Sequence, residues 1–202
     1  MTLAVLSRIY HRILDVPKRG LPNFRQVKVG DEFDGYKFLT APFSRNFGHG
    51  FRYEPIHPEY VYDILRMLNI NFPEYSFIDI GCGKGRPLKI ASEFGFKTLI
   101  GVEYSRSLAE HAISTITSLR PKHAEIFVMD AAEYKFPNGP LVVFMYNPFD
   151  QVVLAKMMAN LLEVKGDVIL IYLGLGKDWP GKWMIPWKHS KDAVIYRREC
   201  HA

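Results

Sequence analysis

The sequence predicts an α/β fold: a doubly wound, mostly parallel sheet with helices on both faces. Three observations predict it. Apolar runs of strand length alternate with helical stretches from residue 57 to residue 173, the pattern of βαβ units with right-handed crossovers. The run Phe77-Ile78-Asp79-Ile80 breaks into a loop with glycine at every second position, Gly81, Gly83 and Gly85, ahead of a helix-like stretch from Pro87 to Phe94. A second acid, Glu103, closes the next apolar run, Thr98 to Val102. In such sheets ligands sit beyond the carboxyl ends of the strands, and the glycine loop and both acids fall there.

Each element has a local reason. Residues 2–15 place Leu3, Leu6, Ile9 or Tyr10, Ile13 and Leu14 at helical spacing, with Arg8 and Arg12 between them. Pro17 and Gly20-Leu21-Pro22 end that helix, and residues 26–39 alternate weakly enough to suggest a small hairpin at Asp34-Gly35. Residues 40–56 are a loop rich in aromatics: Phe43, Phe47, Phe51 and Tyr53. A helix starts at His57-Pro58-Glu59, because proline is preorganised for the first helical position, and runs to about Leu68. The first strand is 76–80. Ser107-Leu108-Ala109-Glu110 reads as a capping box opening a helix that Pro121 closes. Strands follow at Glu125 to Met129, Leu141 to Tyr146 and Asp167 to Leu173, with a helix at Gln151 to Glu163. Ala193 to Arg198 is a final strand. The chain thus divides into an N-terminal extension, 1–56, and a ligand-binding domain, 57–202.

Composition narrows the setting. Hydrophobic content of 48% suits a globular domain, and no apolar run approaches the ~20 residues that span a bilayer. Two cysteines, Cys82 and Cys200, make neither a disulfide framework nor a metal-ligand pattern, so no metal is expected and a reducing cytoplasm is the simplest compartment. The net charge of +5 is too small and dispersed to indicate nucleic acid by itself.

The loop spacing selects among cofactors. A dinucleotide fingerprint needs its third glycine at the position of Arg86; here it arrives one residue early, at Gly85. No phosphate-cradling G-x-x-x-x-G-K-[ST] string exists. The remaining pattern, D-x-G-x-G-x-G, resembles that of class I S-adenosylmethionine (SAM)-dependent methyltransferases. The resemblance implies a Rossmann-like, mostly parallel seven-stranded sheet, and SAM as cofactor. It implies that Gly81, Cys82, Gly83 and Gly85 lie under the methionine and ribose parts. Asp79 then neighbours the ammonium, and Glu103 accepts hydrogen bonds from both ribose hydroxyls. Asp130 and Ala131 match the residues that bond the adenine ring, with Tyr104 and Met129 lining its slot. The plainer reading of Asp130 is an acid capping a short turn. Lys84 has no phosphate to bind and is expected to be exposed.

The fourth strand ends in Tyr146-Asn147-Pro148-Phe149. This resembles the [DNS]-P-P-[FYW] signature of amino-group methyltransferases, without the second proline. A bacterial group of small SAM methyltransferases carries the same Asn-Pro-Phe variant. The glycine loop and Val-Glu strand end also look like those of protein lysine methyltransferases without a SET domain. These resemblances cover roughly residues 50–175. They imply that Asn147 accepts a hydrogen bond from the target nitrogen and also borders the cofactor, that Pro148 stiffens the backbone, and that Phe149 packs on the acceptor. Tyr53 matches a residue covering the SAM methionine. His49 is a further base candidate, whereas His57, His111, His123, His189 and His201 show no ligand pattern.

The expected activity is therefore SAM-dependent methyl transfer, with an amine nitrogen, above all protein lysine, as the favoured acceptor. Two rivals stand beside it. One is a non-catalytic SAM-binding module acting through its N-terminal helix. The other is methylation of RNA or a small metabolite, favoured if Arg45, Arg52, Lys182 and Lys188 form one patch. Residues 1–15 read first as a helix packed on the domain or a dimer partner, and second as a peripheral membrane contact. Trp179, Trp183 and Trp187 read as a packed tail or as an aromatic wall over the acceptor.

Overall fold

A computed structural model describes residues 55–119, 123–146, 151–173, 184–189 and 193–198 of the 202-residue chain. The expected N-terminal helix, the expected hairpin at Asp34-Gly35, the segment with His49 and Tyr53, the residues Arg45, Arg52 and Lys182, and the motif at Asn147, Pro148 and Phe149 lie outside the described residues.

The expected seven-stranded sheet is present. Its strands are β1 (Ser76–Ile80), β2 (Thr98–Glu103), β3 (Ala124–Val128), β4 (Leu141–Tyr146), β5 (Val168–Leu173), β6 (Ile185–His189) and β7 (Ala193–Arg198). Their order is β3-β2-β1-β4-β5-β7-β6. The pairings from β3 to β5 are parallel, and β7 runs antiparallel to both β5 and β6. The order reverses direction at β1, between β2 and β4, which places a topological switch point where the glycine loop leaves the sheet.

Helices α1 (Pro58–Leu68), α2 (Arg86–Ala91), α3 (Arg106–Leu119) and α4 (Gln151–Leu162) cover both faces. Period-two alternation divides the strand residues between them. Phe77, Leu99, Val142, Phe144, Ile169, Ile171 and Ile195 pack with α1, α2 and α3 through Ile64, Leu65, Leu88 and Ile116. Ile78, Ile80, Val102, Val143, Met145, Leu170 and Tyr196 pack with α4 through Val153, Leu154, Met157 and Leu161. All six residues of β5 are buried, as expected of a strand covered on both sides.

Local chemistry sets the helix ends. Pro58 occupies the first turn of α1, and the His57 ring accepts a hydrogen bond from the Glu59 N–H at 3.4 Å. The predicted capping box at Ser107 is corrected. The N–H groups of Leu108 and Ala109 reach the Ser105 carbonyl at 3.0 and 2.9 Å, so α3 opens at Arg106 and Ser107 lies inside its first turn. The stretch expected to be one helix from Pro87 to Phe94 is α2 followed by a 3-10 turn at Ser92–Phe94. Pro186 sits on edge strand β6, where a missing N–H is tolerated, and an irregularity follows between Pro186 and Lys188. Trp187 packs on the core with the Lys188 ammonium 4.5 Å and the Arg197 guanidinium 5.0 Å from its ring centre, whereas Trp179 and Trp183 lie outside the described residues.

Candidate functional site

The glycine loop turns sharply because three of its residues adopt positive φ: 77° at Gly81, 56° at Gly83 and 85° at Gly85. A side chain would strain each of these. The loop begins by extending the parallel ladder, with the Gly81 and Cys82 N–H groups both donating to the Val102 carbonyl at 2.8 and 3.1 Å. It ends with the Gly85 N–H on the Cys82 carbonyl at 2.8 Å. Gly85 has a second reason to lack a side chain, since a Cβ there would lie 3.2 Å from the Ala112 Cβ on α3. Loop and helix meet without a spacer.

Glu103 sits at the end of β2, one residue beyond the pairing of Ile80 with Val102. Its Oε1 accepts from the Ser105 N–H at 2.7 Å and its Oε2 from the Gly83 N–H at 2.9 Å. The carboxylate therefore fastens the middle of the glycine loop to the start of α3. Burial pushes its pKa up, while the bonds from Ser105, Gly83 and Tyr104 pull it back. A carboxylate oxygen accepts more than one hydrogen bond, so each oxygen retains capacity for a ligand hydroxyl.

Asp79 is treated differently. It is 2% exposed, and its Oδ2 has no hydrogen-bond partner among the described residues. Burial, with the Glu103 charge adding to it, holds the carboxyl well above the usual carboxylate range. A buried acceptor left this way is costly unless something completes it, and a ligand cation is suited to do so.

The other predicted residues fall as follows. Cys82 points its thiol into the core, where burial raises its pKa and leaves it unreactive, so any contact with a ligand comes from its backbone. Tyr104 and Met129 are half-buried beyond β2 and β3, with the Met129 N–H on the Glu103 carbonyl at 3.1 Å. Asp130 takes the turn-capping role: its Oδ1 accepts from the Ala132 N–H at 2.9 Å and opens a 3-10 turn at Ala131–Glu133. Ala131 is buried. Lys84 corrects its expectation, being 6% exposed rather than solvated, because the loop packs on α3, where the Thr115 hydroxyl donates to the Lys84 carbonyl at 3.4 Å. Lys188 donates to the Met67 carbonyl at the end of α1 and so is turned toward that helix. Among the described residues no group of three or more His, Cys, Asp or Glu could hold a metal ion. No described helix is long and apolar enough to cross a membrane.

Two supporting residues escaped the sequence reading. Gly101 pairs with Asp79 across the sheet. A Cβ there would lie 2.6 Å from Ile126 Cδ1, 2.8 Å from Leu88 Cδ1 and 2.9 Å from Cys82 Sγ. A glycine inside an apolar strand is itself the signal of such a close approach. Arg86 is buried and donates through Nη1 to the Ile56 carbonyl at 2.5 Å, tying the start of α2 to the segment ahead of α1. Its identity alone carries no such signal.

A family model described as a methyltransferase domain matches residues 54–169. No curated protein matches the chain by sequence. Several solved structures share the fold. Magnesium protoporphyrin IX methyltransferase from Synechocystis PCC 6803, with SAM bound, is similar at 14% identity and a TM-score of 0.54 over 70% of this chain and 78% of that one. An RNA methyltransferase from Salinibacter ruber, in complex with S-adenosyl-L-homocysteine, is similar at 19% identity and 0.52 over 73% and 94%. A SAM-dependent methyltransferase from Aquifex aeolicus is similar at 10% identity and 0.52 over 71% and 99%.

Proposed function

Because the chain belongs to the methyltransferase-domain family, we propose that it transfers a methyl group from SAM to an amine nitrogen, with protein lysine as the favoured acceptor. The observation that carries the cofactor assignment is the contrast between two buried acids beside one glycine loop. Glu103 is held in place by backbone N–H groups, and Asp79 has an oxygen left over. This pair of acceptors fits a ligand with vicinal hydroxyls and an ammonium group: Glu103 accepts from the ribose and Asp79 from the methionine amine. A neutral or anionic group in place of the amine would leave Asp79 buried and uncompensated.

SAM supplies an already activated methyl on a sulfonium sulfur. The protein's task is alignment. Strand β4 pairs in parallel with β1, Met145 opposite Ile80, so the chain leaves the sheet at Tyr146 on the same side as the glycine loop. Asn147, the next residue, is proposed to accept a hydrogen bond from the acceptor nitrogen and aim its lone pair. Pro148 limits backbone movement, and Phe149 and Tyr146 give an apolar surround. A lysine amine, with pKa near ~10.4, must lose its proton before attack, and such a surround lowers that pKa. Tyr53 is proposed to cover the methionine end.

The test has two stages. Calorimetry with SAM, S-adenosylhomocysteine and NAD is expected to show binding of the first two alone. Binding of NAD alone would overturn the cofactor reading. Methyl-labelled SAM added to a cell lysate, fractionated into protein, RNA and small molecules, is then expected to label protein on lysine. Label confined to RNA or metabolites would overturn the acceptor class and leave the cofactor reading standing.

A further inference from the structure

We infer that Asn160 on α4 is a positioning residue for the adenine end of the cofactor, acting through the turn that follows β3. The inference rests on the cofactor reading above. The turn starts at Asp130 and Ala131 and runs through Tyr134, and short-range bonds hold it from within: the Asp130 cap, the Glu133 N–H on the Asp130 carbonyl and the Tyr134 N–H on the Ala131 carbonyl. Asn160 supplies the support from outside. Its Nδ2 donates to the Ala132 carbonyl at 3.1 Å and to the Tyr134 carbonyl at 3.0 Å, and its Oδ1 accepts from the Lys135 ammonium at 2.8 Å. The three partners fix the amide's orientation, because a flipped amide would set oxygen against two carbonyls and nitrogen against an ammonium. One side chain, thirty residues downstream of Asp130, thus holds two alternate carbonyls of the turn.

Packing supports the same assignment. Ala131 and Tyr134 are buried in the cluster that includes Met157, Met158 and Leu161 of α4. Tyr134 is wedged between Phe127 and Phe136, with ring centres 5.7 and 5.0 Å away, and burial pushes its pKa up to about 12. The aromatic wedge fixes where the turn sits. The Asn160 amide fixes its rotation, since two directed bonds to alternate carbonyls define a plane that apolar contact does not. Rotation is what decides whether the Asp130 and Ala131 groups match the hydrogen-bonding edge of a purine.

A purine with its edge pattern reversed reads this directly. S-inosylhomocysteine carries an oxygen at C6 and a proton on N1, where S-adenosylhomocysteine has an amino group and a bare nitrogen. Wild type is expected to prefer S-adenosylhomocysteine. Asn160→Ala is expected to lower that preference about fivefold, the worth of one neutral hydrogen bond. Asn160→Ser, whose hydroxyl is one bond short of both carbonyls, should lose the preference to a similar extent and decides the matter by the same ratio if the alanine variant does not fold. Ile169→Val, a core truncation on the other face of the sheet, controls for lost stability and should keep the wild-type ratio. An unchanged preference in a folded Asn160 variant, or no preference in wild type, would overturn the inference. Wild type binding neither nucleoside would instead refute the cofactor reading.

Discussion

Replacing Glu103 by Gln tests the joint role of one side chain in the fold and the site. The carboxylate offers an oxygen to Ser105 N–H at 2.7 Å and another to Gly83 N–H at 2.9 Å. A glutamine of the same shape keeps one oxygen and presents an NH2 to the other donor. Whichever way the amide turns, one backbone N–H loses its acceptor in a buried site, at a cost of about 1–3 kcal/mol. Burial already raises the Glu103 pKa, so removing the charge recovers part of that cost and the lower end of the range is expected. At about 2–4 °C per kcal/mol for a chain of this length, the ligand-free protein should melt roughly 2–6 °C lower. The same change removes a charged acceptor from the ribose, worth about 1.5–3 kcal/mol per bond, or about 10- to 150-fold in affinity. Thermal melts with and without S-adenosylhomocysteine, plus calorimetry at a temperature where both proteins are folded, separate the two effects. A folded Glu103→Gln protein with wild-type affinity for S-adenosylhomocysteine would refute the assignment of Glu103 as a ribose acceptor.

Three further outcomes follow from the geometry. Asp79→Asn should weaken S-adenosylhomocysteine binding by about tenfold or more, the loss of one hydrogen bond to a charged group, yet raise the melting temperature of the ligand-free protein at neutral pH. Because burial raises the Asp79 pKa in the folded state, its stabilising protonation is fully present below the unfolded value near ~3.9 and is lost as pH rises through the folded pKa. The two melting curves should therefore converge in acid, and a variant less stable at neutral pH would contradict the sign. Gly85→Ala should cost about 1–2 kcal/mol for the left-handed backbone alone, with crowding against Ala112 added; denaturant titration showing no loss would discount the loop's packing on α3. Asn147→Ala should keep S-adenosylhomocysteine affinity and lose single-turnover transfer by several kcal/mol of barrier, roughly 10²-fold or more, and equal loss of both would mark it as a structural turn instead.

The sequence was most legible where chemistry acts through the backbone. A loop with glycine at every second position can do little else than turn tightly, and the acid before it and the acid ending the next run could be placed at adjacent strand ends from alternation alone. Strands β1, β4 and β7 have the boundaries the pattern predicts, because each is an apolar run between turn signals. Legibility failed where a residue's role depends on what folds against it. Lys84 reads as an exposed lysine until α3 covers the loop. Ser107 and Glu110 match a capping box, but the Ser105 carbonyl already accepts from the Leu108 and Ala109 N–H groups, so the helix opens at Arg106 and Ser107 lies inside it. Arg86 and Asn160 reach partners 30 and 28 or fewer residues away, and no local spacing encodes such pairings.

The two acids also show how this fold divides labour between protein and ligand. They sit one strand apart and their charges oppose each other, so ionising both without compensation is unfavourable. The protein compensates Glu103 with its own N–H groups, which fixes the carboxylate before any ligand arrives and leaves it preorganised. It leaves Asp79 Oδ2 uncompensated, which makes the ligand-free state less stable than it need be at neutral pH. On the proposed assignment, a ligand bringing positive charge to Asp79 and hydroxyls to Glu103 together recovers that loss. A nucleoside without the amino-acid ammonium would satisfy one acid and leave the other unpaired, so the buried Asp79 oxygen, rather than the glycine loop, is proposed to select SAM over adenosine.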